Sequence, residues 1–314
     1  MSKFRIEIKP PDLQDYREGN RGIPYVTSFD SFKPGPHVVV VALMHGNEIC
    51  GAVALDHLFR EGPRPARGTL TLAFANVAAY ESFDAADPLG SRYLDEDMNR
   101  VWHREILDGA GSSSELERAR ALRPVFEQAD FLLDIHSMQS SATPLILAGL
   151  TEKSLGLARS VRSPALIVRD RGHEAGPRLR DYGNFADDSA PQTALLVECG
   201  QHWEKASADT AIAVTRRFLA ACGILDQSES AHILEDATPP QRVIAVTEAV
   251  TVASSDFRFL GNFRGLEIIP KAGTVIAQDG GREIKTPYDD CVLIMPSRSI
   301  SPSQTAVRLG RYDD

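Results

Sequence analysis

A histidine and a glutamate separated by two residues stand where the first strongly apolar run of the chain ends. His45 and Glu48 lie on a loop that follows residues 37–44 and leads into apolar residues at helical spacing. From such a loop the imidazole and the carboxylate can face one metal ion. His136, directly after the apolar run 131–135, is our candidate for a third ligand. Three protein ligands plus one water is the arrangement of a catalytic zinc site.

Alternative interpretations of these residues stay open at this point. A His-x-x-Glu match arises by chance fairly often in a chain with 8 histidines and 43 acidic residues. A single histidine at a strand end is also more often packed than bound to metal. Asp134, two residues before His136, shares a strand face with it and could orient the ligand imidazole. Asp134 could equally be a carboxylate bonded to backbone amides.

A candidate for proton transfer is Glu198, which ends the very apolar run 194–197. A partly desolvated carboxylate has a raised pKa, in the working range of a general base. Cys199 has no base apparent beside it, so we interpret it as a packed thiol. The remaining histidines show no comparable placement and are interpreted as structural or surface residues: His37, His57, His103, His173, His202 and His232.

Residues 92–100 form a polar segment without a strand or helix pattern. Two arginines, one asparagine and three acids fall within these nine residues. Arg92 could polarise a carbonyl group, and Arg100 could grip a carboxylate through two parallel hydrogen bonds. A solvated charged loop is the alternative, and spacing alone does not decide between the two.

The elements that must position these residues alternate between strands and helices. Strands are expected at the short apolar runs, which are residues 37–44, 68–75, 131–135, 165–169 and 193–198. Helices are expected at 48–60, 115–128 and 207–222, the second beginning with the capping-box pattern of Ser114 and Glu117. This alternation predicts an α/β fold, a mainly parallel mixed sheet flanked by helices. Ligands bind beyond the carboxyl ends of such strands, where the candidate residues lie.

The two ends of the chain differ from this central part. The first 36 residues are polar and contain prolines, so we expect them to wrap the surface. Residues 226–241 are polar and read as a linker, and short β-branched runs separated by Gly and Pro follow it. We therefore predict an α/β domain over residues 1–230 and a smaller all-β domain over 231–314.

Composition and charge exclude several classes of protein. The 314 residues, 43% hydrophobic and 25% charged, fit a globular chain and not a disordered or collagenous one. A net charge of −9 argues against nucleic-acid binding. No run approaches the roughly 20 apolar residues of a membrane helix, and the N-terminus lacks the apolar core of a secretory signal. The 4 widely spaced cysteines contain no CxxC pair, so we expect a reduced, cytoplasmic protein.

Four motifs in this order resemble the aspartoacylase and succinylglutamate desuccinylase family, relatives of the zinc carboxypeptidases. They are the loop from His45 to Glu48, the segment from Arg92 to Arg100, the strand end from Asp134 to Ser137, and residues 198–200. The C-terminal β region also resembles the second domain of the family. The resemblance therefore covers the chain from about His37 onward and implies a zinc carboxypeptidase-like fold.

The resemblance also implies an activity, hydrolysis of N-acyl amino acids to a carboxylic acid and a free amine. Glu198 would be the general acid and base, and Arg92 would face the scissile carbonyl. Asn99 and Arg100 would contact a carboxylate of the substrate. One Zn²⁺ per chain would be held by His45, Glu48 and His136. Further candidates for substrate contact are residues 169–173, Arg178 and Arg180.

Other functions remain as alternatives. A carboxypeptidase-like peptidase or an esterase could use the same site, and an open groove would favour a peptide substrate over a small acyl amino acid. A non-catalytic binding protein is a second class, although all three candidate ligands and the candidate base are present. A site of two histidines and one glutamate could also take another divalent metal. The β domain could form a lid or a contact in a homo-oligomer.

Overall fold

The computed structural model describes residues 4–172, 176–297 and 301–313. In these ranges the helices are α1 (Ile49–Glu61), α2 (Val77–Glu81), α3 (Arg104–Leu107), α4 (Ser114–Glu127), α5 (Glu152–Val161), α6 (Lys205–Ala221) and α7 (Gln227–Glu235). Short 3-10 turns lie at Gln14–Tyr16, Met98–Arg100, Leu179–Asp181 and Gly183–Phe185. None of the helices in these ranges is both long and apolar enough to cross a membrane.

The strands described in the first part of the chain are β1 (Val26–Asp30), β2 (His37–Ala42), β3 (Thr69–Phe74), β4 (Phe131–Met138), β5 (Leu145–Leu147), β6 (Leu166–Arg169) and β7 (Thr193–Gln201). Those that follow are β8 (Arg242–Thr251), β9 (Arg258–Phe259), β10 (Glu267–Ile269), β11 (Val275–Asp279), β12 (Arg282–Lys285), β13 (Cys291–Ile294) and β14 (Thr305–Tyr312).

Most of these strands belong to one mixed sheet. Its order over the described residues is β1-β3-β2-β4-β7-β5-β6-β8-β14-β13-β10, while β12-β11-β9 form a small separate sheet. The central strands β3, β2, β4 and β7 run parallel, as do β5, β6 and β8 among themselves. Strand β5 is antiparallel to β7, and β14, β13 and β10 continue the sheet in antiparallel fashion. The predicted α/β fold with a mainly parallel core is confirmed.

Strand β2 shows why the centre of the sheet forms. Its β-branched residues suit a pleated surface, and both faces of the strand are buried. Val38 and Val40 pack in the core cluster that contains residues of α1, α5 and α6. Val39 and Val41 pack on the opposite face with residues of α4. Helices cover both faces of the sheet here. The carboxyl ends of the parallel strands remain as the edge at which a site can form.

Three local expectations differ from the structure. The first 36 residues include an edge strand, β1, which pairs antiparallel with β3 from Val26 to Asp30. The expected linker 226–241 contains α7, which the Asp226 carboxylate caps by accepting from two backbone N–H groups. The first helical residue of α4 is Ser114 rather than the N-cap, since Ser113 Oγ accepts from Leu116 N at 3.0 Å. The predicted capping box of Ser114 and Glu117 is therefore wrong, since Ser113 is the N-cap and Leu116 has no side-chain acceptor to return the bond.

The strands from Arg242 onward confirm the expected C-terminal β region. Strands β8, β14, β13 and β10 continue the α/β sheet, because β8 pairs parallel with β6 from Leu166 and Arg242 onward. Sequence patterns did not indicate this pairing. The division at residues 230 and 231 stays a prediction. The four cysteines are free and buried, in agreement with the absence of a disulfide framework.

Candidate active site

The ends of β2 and β4 bring together three side chains that the sequence singled out. His45 Nδ1 lies 2.8 Å from Glu48 Oε1, and His136 Nδ1 lies 2.9 Å from Glu48 Oε2. Ligand atoms of the three residues lie within 4.8 Å of one another, and all three side chains are buried. We call them the His–Glu–His cluster. The two oxygens of the Glu48 carboxylate therefore face one Nδ1 each, that of His45 and that of His136.

The second nitrogen of each imidazole faces an aspartate. His45 Nε2 lies 2.9 Å from Asp97 Oδ1, and His136 Nε2 lies 2.9 Å from Asp134 Oδ2. A carboxylate behind a histidine fixes the orientation and tautomer of a metal-ligating imidazole. Asp134 lies at ion-pair distance from His136, and its orienting role stays a prediction. Asp97 occupies the equivalent position for His45, which the sequence analysis did not foresee.

The loop between β2 and α1 owes its shape to particular residues. Leu43 has a φ of 63°, a left-handed conformation that turns the chain as it leaves β2. A Cβ on Gly46 would lie 2.4 Å from the backbone of Ala79, so only glycine fits there. Glu48 then stands at the N-cap of α1. These constraints aim His45 and Glu48 at the end of β4.

Glu48 and His136 hold each other in the ionised form. Burial favours a neutral Glu48, but His136 and His45 outweigh burial, so the pKa of Glu48 lies well below its ordinary value. Burial likewise opposes charge on His136, but Asp134 and Glu48 raise its pKa well above the ordinary value. A metal cation bound by the two imidazole nitrogens and the carboxylate would take the place of the proton on His136. The donor set of two histidines and one glutamate therefore fits a divalent metal such as zinc.

Glu198 lies beside the cluster because of strand register. His136 on β4 and Glu198 on β7 are direct neighbours across the parallel ladder. Burial, the largest influence, raises the pKa of Glu198 to about 8 against the lowering effect of His136. Among the described residues, Oε2 of Glu198 is buried and has no hydrogen-bond partner. Cys199, one position on, is buried in the core, as expected of a packed thiol.

Arg92 stands at the edge of the cluster. Its Nη2 lies 2.9 Å from His45 Nε2 and 3.0 Å from Asp97 Oδ2, and its Nη1 lies 3.8 Å from Glu48 Oε1. The Gly46 N–H donates to the Arg92 carbonyl at 3.0 Å, which ties the two loops together. The guanidinium is thus held next to the candidate metal ligands rather than free in solvent.

Asn99 and Arg100 follow in the same segment. The Asn99 amide places Nδ2 3.3 Å from His136 Nε2, and its Oδ1 accepts from Leu179 N at 2.9 Å. Arg100 Nη1 donates to the Asn99 carbonyl at 2.7 Å, and its side chain keeps 22% exposure. Burial lowers the pKa of Arg100 to about 10, although Asp97 opposes this effect. The structure therefore places the Asn99 amide against His136 and Arg100 near Asp97, at 3.9 Å from Asp97 Oδ2. Spacing alone could not decide this.

The further arginine candidates lie in a buried charge network. Arg178 donates to both oxygens of Asp170, at 2.7 and 3.0 Å, and to Asp181 at 2.6 Å. Arg180 lies 2.9 Å from Asp181, and Arg308 on β14 lies 3.2 Å from Asp170. Arg178 is therefore fully engaged within the protein.

Arg169 and His173 complete that group of candidates. Arg169 pairs with Glu152 at 2.7 Å. His173 lies outside the described residues.

His202 is a residue near the site that the sequence analysis interpreted as structural or surface. Its Nδ1 lies 2.8 Å from Ser137 Oγ, and the Ser137 N–H donates to Glu48 Oε2 at 3.1 Å. Burial lowers the pKa of His202 to about 4, so the ring is neutral. The signal that could have found it is its position shortly after the predicted strand 193–198, which in the structure extends to Gln201. His202 supports the strand end that carries His136.

The fold and the cluster together define an α/β protein with a candidate metal centre beyond the carboxyl ends of its parallel strands. A sequence model of the succinylglutamate desuccinylase/aspartoacylase catalytic domain matches residues 34–222, more than half of the chain. The chain belongs to this family, which confirms the resemblance carried by the four motifs.

Similar proteins agree with this placement. A succinylglutamate desuccinylase of Burkholderia lata is 25% identical over 288 residues, covering 86% of this chain and 77% of the relative. An N-acyl-aromatic-L-amino acid amidohydrolase of Xenopus tropicalis is 29% identical over 113 residues, covering 33% of this chain and 34% of that protein. The chain thus spans about a third of that relative's length. The crystal structure of succinylglutamate desuccinylase from Vibrio cholerae shares the fold, with a TM-score of 0.66, 16% identity and coverage of 93% and 88%.

Proposed function

We propose that this protein is a zinc-dependent amidohydrolase, a deacylase that cleaves the amide bond of a small N-acyl amino acid or a related carboxylate. The observation that carries the proposal is the buried His–Glu–His cluster with Glu198 beside it in strand register. The names of relatives support the reaction class, since one is an N-acyl-aromatic-L-amino acid amidohydrolase and another a succinylglutamate desuccinylase.

We assign Nδ1 of His45, Nδ1 of His136 and the carboxylate of Glu48 as the ligands of one zinc ion per chain. When bound, zinc polarises a carbonyl oxygen and lowers the pKa of water to about 7. Asp97 and Asp134 hold the two imidazoles with Nδ1 directed at Glu48.

Glu198 is the proposed general base and then general acid. An amide is a poor electrophile and its nitrogen is a poor leaving group, so water must lose a proton and the nitrogen must gain one. The unpaired Oε2 of Glu198 is free to accept the proton from water and to return it to the departing nitrogen. A raised pKa suits a group that must both take and give a proton near neutral pH.

The arginines carry the complementary charge. Arg92 lies where it can donate to the oxygen on which negative charge develops during attack. Arg100, partly exposed at 22%, is the proposed partner of a substrate carboxylate, with Asn99 beside it. These assignments extend the interpretation made from segment 92–100 and remain proposals.

Burial of the site favours a small substrate over a polypeptide. His45 is 3% exposed, Glu48 and His136 are each 2% exposed, and Glu198 is 7% exposed. The low exposure of these side chains is our reason to prefer a small acyl amino acid, because a polypeptide needs an open groove over the reacting groups.

Release of free amine from a panel of N-acyl amino acids tests the proposal. We expect the release of amine to stop after chelation and to return when zinc is added. Addition of manganese or cobalt to the chelated protein would rank other metals. A panel of N-blocked peptides and esters serves as the comparison. Cleavage of peptides or esters, with no amine release from the zinc-loaded protein on acyl amino acids, would replace the deacylase proposal with the peptidase or esterase alternative.

A further inference from the structure

Three consecutive backbone N–H groups of segment 92–100 point at one buried carboxylate, that of Glu115. The Leu94 N–H donates to Oε1 at 2.7 Å, and the N–H groups of Asp95 and Glu96 donate to Oε2 at 3.1 and 3.2 Å. Residues 94–96 lie in bends without a strand or helix ladder. The carboxylate therefore takes the place of the regular backbone pairing that the segment lacks.

The surroundings of Glu115 stabilise the negative charge of its carboxylate. It is 0% exposed in the first turn of α4, where the helix dipole favours an anion. Asn76 Nδ2 donates to Oε1 at 3.0 Å and so supplies a fourth hydrogen bond. The contact spans 39 residues of sequence and couples α4 to the start of α2. Loss of the carboxylate would leave several buried donors unpaired at once.

The attachment is reciprocal, since side chains of the segment also bond to the start of α4. Asp95 Oδ2 accepts from the Ser114 N–H at 2.8 Å. The Ser113 hydroxyl, which caps α4, donates to Glu96 Oε1. The segment and the helix end thus exchange hydrogen bonds in both directions. The position of one dictates the position of the other.

The segment held in this way carries the groups that complete the site. Arg92 precedes the three anchored N–H groups, and Asp97, Asn99 and Arg100 follow them directly. Gly46 N, on the loop of the metal ligands, is the backbone contact at the other end of the segment, 3.0 Å from the Arg92 carbonyl. Among the described residues, Glu115 itself makes no hydrogen bond or ion pair with the His–Glu–His cluster.

We infer that Glu115 is the positioning residue of the site: its carboxylate fixes segment 92–100 so that Arg92 faces the reacting carbonyl beside the His–Glu–His cluster. The inference rests on the proposed function, and it assigns Glu115 an effect on the reaction that operates through Arg92. A displacement of about 1 Å in a group that must meet a transition state can cost about 100-fold in rate.

The variant Glu115→Gln tests this inference, because the amide turns a donor toward one of the backbone N–H groups. We expect kcat to fall about 100-fold, KM to change much less, and zinc to stay at about one ion per chain. Glu117→Gln is the matched control, since Glu117 is exposed two residues further along α4. Its kinetics should equal those of the parent.

A double-mutant cycle with Arg92→Ala separates a positioning role from a general loss of stability. If Glu115 acts through Arg92, then Glu115→Gln should cost less than about 3-fold once Arg92 is already alanine. An undiminished loss in that background, or parental kcat in the single variant, would overturn the inference.

Hydrogen exchange of backbone amides tests the inference without the activity assay, and it also shows whether the variant is folded. In Glu115→Gln, amides of residues 94–96 should exchange about ten-fold faster, while α1 and β4 keep their protection. If Glu115→Gln does not fold, Asp95→Ala replaces it, because the Asp95 side chain is exposed and accepts the reciprocal bond from Ser114 N. A parent protein that releases no amine sinks the proposed function, whereas unchanged exchange at 94–96 sinks the role of Glu115.

Discussion

The two halves of the candidate site are held by different means. The strand-end half consists of the His–Glu–His cluster and Glu198. His136 and Glu198 are a register pair on the β4–β7 ladder, and His45 and Glu48 follow β2 on the constrained loop into α1. The loop half is segment 92–100, and side-chain acceptors such as Glu115 hold it. Groups on ladders are placed by backbone hydrogen bonds shared along neighbouring strands. Groups on the segment are placed by a few bonds that a single substitution can remove.

The largest expected effect comes from the strand-end half. His136→Ala removes a ligand, so we expect bound zinc to fall from about one ion per chain to none and activity to fall below detection. His57→Ala, on the exposed part of α1, is the control and should keep both. Metal analysis beside the amine-release assay makes the measurement. Full zinc content in His136→Ala would break the assignment of this half as the metal site.

Glu198→Gln separates proton transfer from metal binding within the same half. Loss of a general acid and base costs about 10²- to 10⁴-fold in kcat. Zinc content should stay unchanged, because Glu198 is not one of the three clustered ligands. The assay is kcat with parallel metal analysis. Parental activity in Glu198→Gln would remove Glu198 from the mechanism.

Arg92→Ala probes the loop half directly. Removal of one donor to a developing oxyanion costs about 10²- to 10³-fold in kcat. Zinc should remain, because Arg92 is not a ligand, and this outcome would sharpen the division between the halves. Arg104→Ala, an exposed arginine on α3, is a suitable control. Zinc loss in Arg92→Ala would show instead that the loop half helps to hold the metal.

Asp134 and Asp97 allow the strand-end half and the loop half to be compared, because each aspartate lies behind one histidine of the cluster. Asp134 lies on β4 and Asp97 on the segment, and both face a histidine Nε2 at 2.9 Å. We expect Asp134→Asn and Asp97→Asn each to weaken zinc affinity about 10- to 100-fold. Asp97→Asn should also lower kcat at saturating zinc, because Asp97 pairs with Arg92. Equal kcat in the two zinc-saturated variants would contradict this distinction.

The smallest effect concerns acid stability of the loop half. Burial favours a neutral Glu115, but the N–H donors, with Leu94 foremost, lower the pKa of Glu115 below its ordinary value. Its stabilisation is therefore complete above the unfolded pKa of about 4.3 and is lost as pH falls through the folded pKa. The unfolding free energies of parent and Glu115→Gln should converge in acid. A difference that stays constant down to pH about 3 would refute this expectation.

The same division explains what could be predicted from the sequence. His45, Glu48, His136 and Glu198 follow apolar runs, and strands that end at one edge of a sheet must place their next residues together. The structure brings these four residues together as expected, while their metal and proton-transfer roles remain proposals. The local pattern was sufficient because periodicity reports strands directly.

Segment 92–100 could not be resolved in this way. Its conformation depends on Glu115, about 20 residues further along the chain, and nothing periodic links the two. The role of Asp97 behind His45 has the same origin. Strand β1 was missed because an edge strand is only partly buried and carries polar residues. The pairing of β6 with β8 was missed because register between distant strands leaves no local signal.

The position of β14 has a consequence for the order of synthesis. It lies between β8 and β13 in the sheet, pairing Leu309 with Glu248 on one side and with Leu293 on the other. Until residues 305–312 leave the ribosome, β8 is complete on one side only and β13 has no neighbour toward the main sheet. The nascent chain must keep an open apolar edge from joining other chains during this interval. The time needed to make about 60 residues after β8, a few seconds to some ten seconds, sets how long that exposed edge must be protected.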